Sequence, residues 1–548
     1  MAIVASDLEF GYPGVETLFF EVSFKIGSGE CAGLVGDNAV GKSTLLEILA
    51  GQLQPDEGAV QIDGQVLRMP QSIGQEELAM SVRSFLADLA PPRVRLAAHA
   101  LWTAEEAALE DPSDDMGLVL ASAIGEWRAA GGYETESRWD ACTSRVLRQP
   151  FGQAALRSVH ELSGGERKRL ALEVLLASQA DVLLLDEPDN FLDIPSKRWL
   201  EASLLGSKKT ILMISHDREL LSRGVSKVVT IEGSGAWVHH GSFATYQDAR
   251  ETRNRRLGDA LERWRKEERR LYLHFRLMKQ RAAANDANAS RADAAETRWR
   301  RFVDAGPPPS RPSETPVRMR LSGGDSGRMV LRCSGLELVG LTEPFALEVR
   351  FGERVAVLGP NGSGKTHFLK LLGGVPVAHE GSFQLGARVR PGAFSQTNER
   401  RDLRGRTPLQ VMGDFLPRRE DAMRALARYG LQSVWNEDFS RLSGGQQARL
   451  QILCLEAQGA NLLLLDEPTD NLDLVSAEAL EEALLHFRGT LIGATHDRWF
   501  MRSFSRFLIF GLDGSVTEAL DLGSALSVIG GDPPGVGSLH LVHLGQAG

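Results

Sequence analysis

Two octapeptides hold the residue types needed to bind a polyphosphate. Gly36-Asp37-Asn38-Ala39-Val40-Gly41-Lys42-Ser43 and Gly359-Pro360-Asn361-Gly362-Ser363-Gly364-Lys365-Thr366 both fit G-x-x-x-x-G-K-[ST]. In such a loop, backbone N–H groups and the N-terminus of the next helix surround phosphate oxygens. The lysine meets the β- and γ-phosphates, and the hydroxyl of Ser43 or Thr366 can ligate Mg2+. The nucleotide-binding candidates are therefore Gly36, Asn38, Gly41, Lys42, Ser43 and Thr44 in the first loop. In the second they are Gly359, Asn361, Gly362, Gly364, Lys365 and Thr366.

Two further motifs recur at fixed distances. The apolar runs at residues 182–185 and 462–465 each end in two carboxylates, Asp186-Glu187 and Asp466-Glu467. A buried strand ending this way places one carboxylate near Mg2+ (Asp186, Asp466) and the other near an attacking water (Glu187, Glu467). By itself the pattern is as consistent with a solvated acidic turn, and it is the nearby phosphate loop that favours chemistry. Leu162-Ser163-Gly164-Gly165 lies 23 residues before the first pair, measured from Ser163 to Asp186, and Leu442-Ser443-Gly444-Gly445 lies 23 residues before the second. His216 follows Glu187 by 29 residues, and His496 follows Glu467 by 29. A lone histidine at a strand end is usually structural. One that repeats at the same distance in both halves is read as a γ-phosphate contact. The chain is an internal duplication.

The elements that must position these residues follow from local pattern. Residues 1–35 alternate in short apolar runs and read as strands that lead into the first loop, with a helical pattern over residues 44–53. Strand, glycine loop and helix in that order form the context a phosphate loop requires. In composition the chain is an ordinary globular protein, with 548 residues, 43% hydrophobic and 24% charged. Its apolar runs are too short to cross a bilayer, and no secretion signal opens it. Four scattered cysteines with no C-x-x-C pair argue against a disulfide framework or a zinc site and suit a reducing cytoplasm. The net charge of −10 gives no global attraction to nucleic acid.

With these motifs in order, both halves resemble ATP-binding-cassette nucleotide-binding domains, over roughly residues 3–245 and 328–520. The resemblance implies an α/β fold of two tandem cassettes of the P-loop type, binding ATP and Mg2+. It also implies that Gln71 (in Met69-Pro70-Gln71) and Gln396 (in Phe394-Ser395-Gln396) contact magnesium and water, and that Tyr12 stacks on adenine. Cassettes of this family pair head to tail, so Ser443 to Gly445 would close over the nucleotide held by Lys42, and Ser163 to Gly165 over that held by Lys365. Some residues depart from the family pattern: Ala39 and Val40 in the first loop, Asp189 and Phe191 after the first carboxylate pair, and no aromatic near residues 338–340.

The segment between the halves carries sixteen basic and eight acidic residues over positions 250–301, a charge of +8 within an acidic chain. Leu257, Leu261, Trp264, Leu271, Phe275 and Met278 form a stripe at steps of three and four that Glu268 interrupts, and Ala292, Ala295, Trp299 and Phe302 repeat the rhythm. This predicts an antiparallel coiled-coil hairpin over residues 246–310, with a first helix of about 30 residues reaching about 45 Å. Such a basic face is either simply solvated or a footprint for RNA phosphates. The first half also carries an extra segment at about residues 85–130, read as helices over 97–109 and 118–127. It is either a neutral hairpin or an arm that touches a partner. The second domain is expected over 325–525, with a flexible tail over 526–548.

Two cassettes in one chain, no membrane segment, an insert in the first and a basic hairpin between them resemble the ABC-F family. That resemblance implies a soluble, cytoplasmic, monomeric ATPase whose linker contacts rRNA and tRNA on the ribosome, either in ordinary translation or, as the favoured expectation, in antibiotic protection. The rival reading is the energising subunit of a membrane transporter, which offers no reason for the basic hairpin. A zinc-bearing DNA-repair cassette would need the absent C-x-x-C pairs.

Overall fold

The computed structural model describes residues 2–14, 17–38, 40–70, 80–232, 235–284, 289–309, 317–395, 400–470, 472–530 and 542–543. Gln71, Gln396 and Ala39 lie outside the described residues.

The chain divides into two compact units, residues 1–240 together with 316–548, and residues 241–315. In the first unit each half is built on a largely parallel sheet. Among the described residues, the order in the first half is Val66–Met69, Val182–Asp186, Thr210–Ile214, Cys31–Gly36, Lys227–Glu232 and Gly235–His239. The second half repeats it as Pro391–Phe394, Leu462–Asp466, Thr490–Ala494, Arg354–Leu358, Arg506–Phe510 and Val516–Ala519, with Val542–His543 added at the edge. The two strands that end in the carboxylates are apolar at every position before their last residue because both of their faces are covered. The phosphate-loop strand lies directly beside the strand that leads to the histidine, Cys31 opposite Ile211 and Arg354 opposite Leu491. The carboxylate strand lies one further out. All three motifs therefore emerge at the carboxyl edge of one sheet, where open α/β sheets place their ligands.

A small antiparallel sheet accompanies each half, with Ile3–Phe10 and Met329–Leu338 as the respective central strands. The two sheets of each half share an apolar core, to which Leu8, Leu34 and Leu184 belong in the first and Leu336, Val357 and Leu464 in the second. The extra segment of the first half forms helices Pro92–Glu110 and Asp114–Ala129, each longer than the pattern suggested, joined at a turn where Ser113 caps the second. Trp139 packs against both Trp127 and Phe151.

The second unit is a helical hairpin of Phe243–Ala284 and Ala289–Asp304. Its first helix has 42 residues, so it reaches about 63 Å rather than about 45 Å. The polar sequence preceding the apolar stripe hid its early turns. The seam is aromatic: Phe275 stacks on Trp299 with centroids 5.7 Å apart, and Trp264 stacks on Phe302 at 5.4 Å. Glu268 accepts a hydrogen bond from the Trp299 indole N–H at 3.0 Å. The residue that breaks the stripe is thus the acceptor that an indole in the seam requires.

The expected loose tail is corrected in part. Residues 526–530 continue helix Leu522–Gly530, where Leu526, Val528 and Ile529 pack on the second core, and Val542–His543 pairs with Val516–Ala519. Its glycine-rich composition concealed the apolar face. All four cysteines are free, and among the described residues no helix is long and apolar enough to cross a membrane.

Candidate active site

The phosphate loops owe their shape to glycine. Gly36 and Gly359 have φ of +152° and +142°, and a β-carbon there would stand 2.5 Å from the Ile231 carbonyl oxygen or 2.2 Å from that of Phe510. Helices Lys42–Leu49 and Lys365–Leu372 follow at once, with left-handed Gly41 and Gly364 as their N-caps. Lys42 Nζ donates to the carbonyls of Gly36 and Asp37 at 2.7 and 2.9 Å, and Lys365 Nζ to those of Gly359 and Pro360 at 2.8 Å each. Burial lowers both ammonium pKa values, opposed for Lys42 by Glu187 and by Asp473 of the other half, and for Lys365 by Glu467 and Asp466. Each lysine thus lacks full solvation and is ready to meet a polyphosphate.

Each phosphate loop faces the S-G-G segment of the opposite half. A cavity of about 470 Å3 is lined by Tyr12, Asn38, Gly41, Lys42, Ser43, Thr44, Glu187 and His216, together with Ser443, Gly444 and Gly445. A second cavity, of about 310 Å3, is lined by Asn361, Gly362, Gly364, Lys365, Thr366, Asp466, Glu467 and His496, together with Ser163, Gly164 and Gly165. Gly36, Gly359 and Asp186 are not among the lining residues. Ser163 and Ser443 cap helices Gly164–Ala177 and Gly444–Gln458 through capping boxes with Glu166 and Gln446, so each helix N-terminus faces a cavity. The halves touch where Asn361 Nδ2 donates to the Phe191 carbonyl at 3.0 Å. A β-carbon on Gly165 would come within 2.9 Å of that nitrogen and 3.0 Å of that oxygen.

The two acidic ends are arranged alike. Glu187 and Glu467 both have left-handed φ, 47° and 45°, held by N–H bonds to the Ile214 and Ala494 carbonyls at 3.0 Å each. Such strain costs about 1–3 kcal/mol and collects at functional sites. His216 Nε2 lies 3.9 Å from Glu187, and His496 Nε2 lies 3.7 Å from Glu467. Burial, then the neighbouring lysine, keeps both imidazoles neutral, with His216 lowered to about 3. The side-chain partners differ. Asn190 Nδ2 donates to Glu187 at 2.6 Å, whereas Glu467 has Asp470 at the matching position. Burial first, then Asp470 and Asp466, push Glu467 up to about 8.

For Mg2+, the fit rests on Asp186, a buried carboxylate with both oxygens free of hydrogen-bond partners among the described residues. Burial raises its pKa, while the nearby Ser43 hydroxyl favours the ionised form. An anionic acceptor buried beside a P-loop hydroxyl is a donor set suited to a hard cation.

Sequence reading did not place five residues that line these cavities. Leu18 and Ile214 border the first, Phe191 and His367 the second, and Asp470 both. The signal for His367 was its place directly after Thr366; nothing in the pattern of Asp470 marked it.

The ABC transporter family model matches residues 19–190 and 342–470. An antibiotic resistance protein of Mycobacteroides abscessus is 48% identical, over 93% of this chain and 97% of its own length. The tylosin resistance ATP-binding protein TlrC of Streptomyces fradiae is 34% identical, over 89% of this chain and 92% of its own. ABC transporter F family member 5 of Arabidopsis thaliana is 31% identical, over 92% of this chain and 74% of its own. The chain belongs to the ABC-F family. This ABC-F protein is an ATPase with two ATP-binding cassettes. Its fold is shared with the archaeal ribosome recycling factor aABCE1, solved in complex with a ribosomal stalk protein, at a TM-score of 0.55 and 19% identity over 92% of this chain and 87% of that one.

Proposed function

We propose that the protein binds and hydrolyses ATP at both cassette interfaces and acts on the ribosome through its basic hairpin. The observation that carries the two-site reading is the facing of each phosphate loop by the signature of the opposite cassette. Lys42 and Lys365 bind the β- and γ-phosphates, and Ser163 to Gly165 and Ser443 to Gly445 close over them. Glu187 orients the attacking water and accepts its proton, Glu467 orients the water at the other site, and His216 and His496 donate to the γ-phosphate from a neutral ring. Ser43 and Asp186, with Thr366 and Asp466, would hold Mg2+, joined by Gln71 and Gln396. The ion would supply neutralisation of the charge on the polyphosphate. ATP joins the cassettes, hydrolysis parts them, and the differential affinity for the joined state does the work.

The ribosome reading rests on the +8 charge of residues 250–301 and on the resistance proteins named above. Positive charge along a helical hairpin suits RNA phosphates and shape rather than base sequence. Within that reading we favour antibiotic protection, in the cytoplasm, by a monomeric chain. The test is co-sedimentation of a Glu187→Gln, Glu467→Gln double variant with 70S ribosomes, with and without ATP, over a salt series. ATP-dependent pelleting that weakens when linker arginines are neutralised supports the proposal, and a peptidyl-transfer assay with drugs then separates protection from ordinary translation. No pelleting in either nucleotide state overturns it.

A further inference from the structure

The two nucleotide pockets differ at the corner that would receive the base. In the first, Tyr12 follows strand Ile3–Phe10, and its hydroxyl lies 3.2 Å from Thr44 Oγ1, so the ring and the P-loop helix share that corner. The second cassette matches it residue by residue. Asp7 and Gly335 are both left-handed, with φ of 49° and 55°, and each precedes a fully buried leucine, Leu8 or Leu336. Counting on from these, the counterpart of Tyr12 is Gly340. It has φ of +73°, and a β-carbon there would meet nothing within 4 Å. Counting from the lysines, Lys42 and Lys365, the counterpart of Thr44 is His367. The loop of the second cassette lacks the ring, and its helix carries one at the position that the missing ring would have touched.

We propose that His367 contacts the base of the nucleoside triphosphate at the Lys365 site, its imidazole stacking on the purine as Tyr12 is placed to do at the other site. His367 is exposed and lines the second cavity with Lys365 and Thr366. A flat aromatic ring on a purine face is a sequence-tolerant contact that the open space over Gly340 cannot supply. The triphosphate already has the loop amides and Lys365, so the part of the ligand without a partner is the base. The inference rests on the reading of both pockets as ATP sites.

The experiment uses the full chain carrying Lys42→Ala, which silences the first site, and compares the affinities of ATP and inorganic tripolyphosphate by calorimetry. His367→Ala is expected to weaken ATP about tenfold and to leave tripolyphosphate unchanged, His367→Tyr to restore ATP, and His367→Thr not to restore it. An equal loss for both ligands makes His367 a phosphate contact and overturns the proposal, as does an unchanged ATP affinity. No ATP binding with His367 intact refutes the two-site reading and the proposal with it. Binding that survives His367→Ala at full strength refutes the proposal alone.

Discussion

The Arg218 guanidinium of the first cassette holds Glu481 of the second through two hydrogen bonds of 3.1 and 2.8 Å. Arg498 of the second likewise donates to Glu201 of the first, and each arginine stands two residues after its site histidine. The arginines are related by the duplication, and both are buried, at 5% and 6% exposure. The histidine assigned to the γ-phosphate is therefore two steps along the chain from a clasp on the opposite cassette. Truncating one member leaves a buried charge alone, a loss of about 3–5 kcal/mol. Glu481→Ala should weaken ATP-driven closure and ATPase activity more than Glu481→Gln, and Arg218→Ala, Glu481→Ala should be less damaging than the sum of its singles. Additive losses in that double-mutant cycle would show that the pair does not couple.

Gly165 offers a way to damage one site alone. A β-carbon there meets Asn361 Nδ2 and the Phe191 backbone carbonyl, and the latter cannot swing away. Gly165→Ala should lower ATP occupancy at the Lys365 site and leave the Lys42 site, which uses Ser443 to Gly445, at its original affinity. Filter binding in Lys42→Ala and Lys365→Ala backgrounds reads the two sites separately. Equal losses in both backgrounds contradict the independence of the closures.

Much of this was legible because duplicated spacing is a strong signal. The apolar runs at residues 182–185 and 462–465 are short, but each ends in a carboxylate pair at a fixed distance from a signature and a histidine. Together with the loops at Lys42 and Lys365, those ends mark which strands must lie side by side. The asymmetries were less legible. Glu268 read as a flaw in the hairpin stripe because its acceptor role depends on Trp299, 31 residues on in sequence. Asp470 carries no mark in the sequence because its position between the cassettes depends on how they close. The reach of helix Phe243–Ala284 was underestimated because its early turns lack an apolar stripe.

Phe191 has φ of 66°, a conformation that costs a bulky side chain about 1–2 kcal/mol. The residue is 49% exposed, so little burial offsets that cost. Phe191→Asn should raise the unfolding midpoint, because asparagine tolerates the left-handed region, while Phe191→Ala should not, because it loses the ring and keeps the strain. A midpoint that falls for Asn as far as for Ala would place the value of Phe191 in packing instead.

Asp470 ties stability to pH. Burial, opposed by Lys197 and reinforced by Asp189, Asp497 and Asp466, raises its carboxyl from the ordinary 3.8 to about 7. The folded chain therefore holds this proton more tightly than the unfolded chain. That contribution is fully present below 3.8 and is lost as pH rises toward 7, because the unfolded form releases its proton first. Lys197 is held charged, despite burial, chiefly by Asp217, with Nζ 3.0 Å from its carboxylate, and then by Asp189 and Asp470. It therefore does not titrate in this window. Asp470→Asn fixes the neutral form. Against the parent chain, its unfolding midpoint without nucleotide or divalent cation should show no gain near pH 4, a gain that grows between pH 4 and 7, and a constant gain above. A gain of the same size at every pH would mean that the substitution acts through packing, and a loss at pH 8 would mean that Lys197 needs the Asp470 charge more than the interface suffers from it.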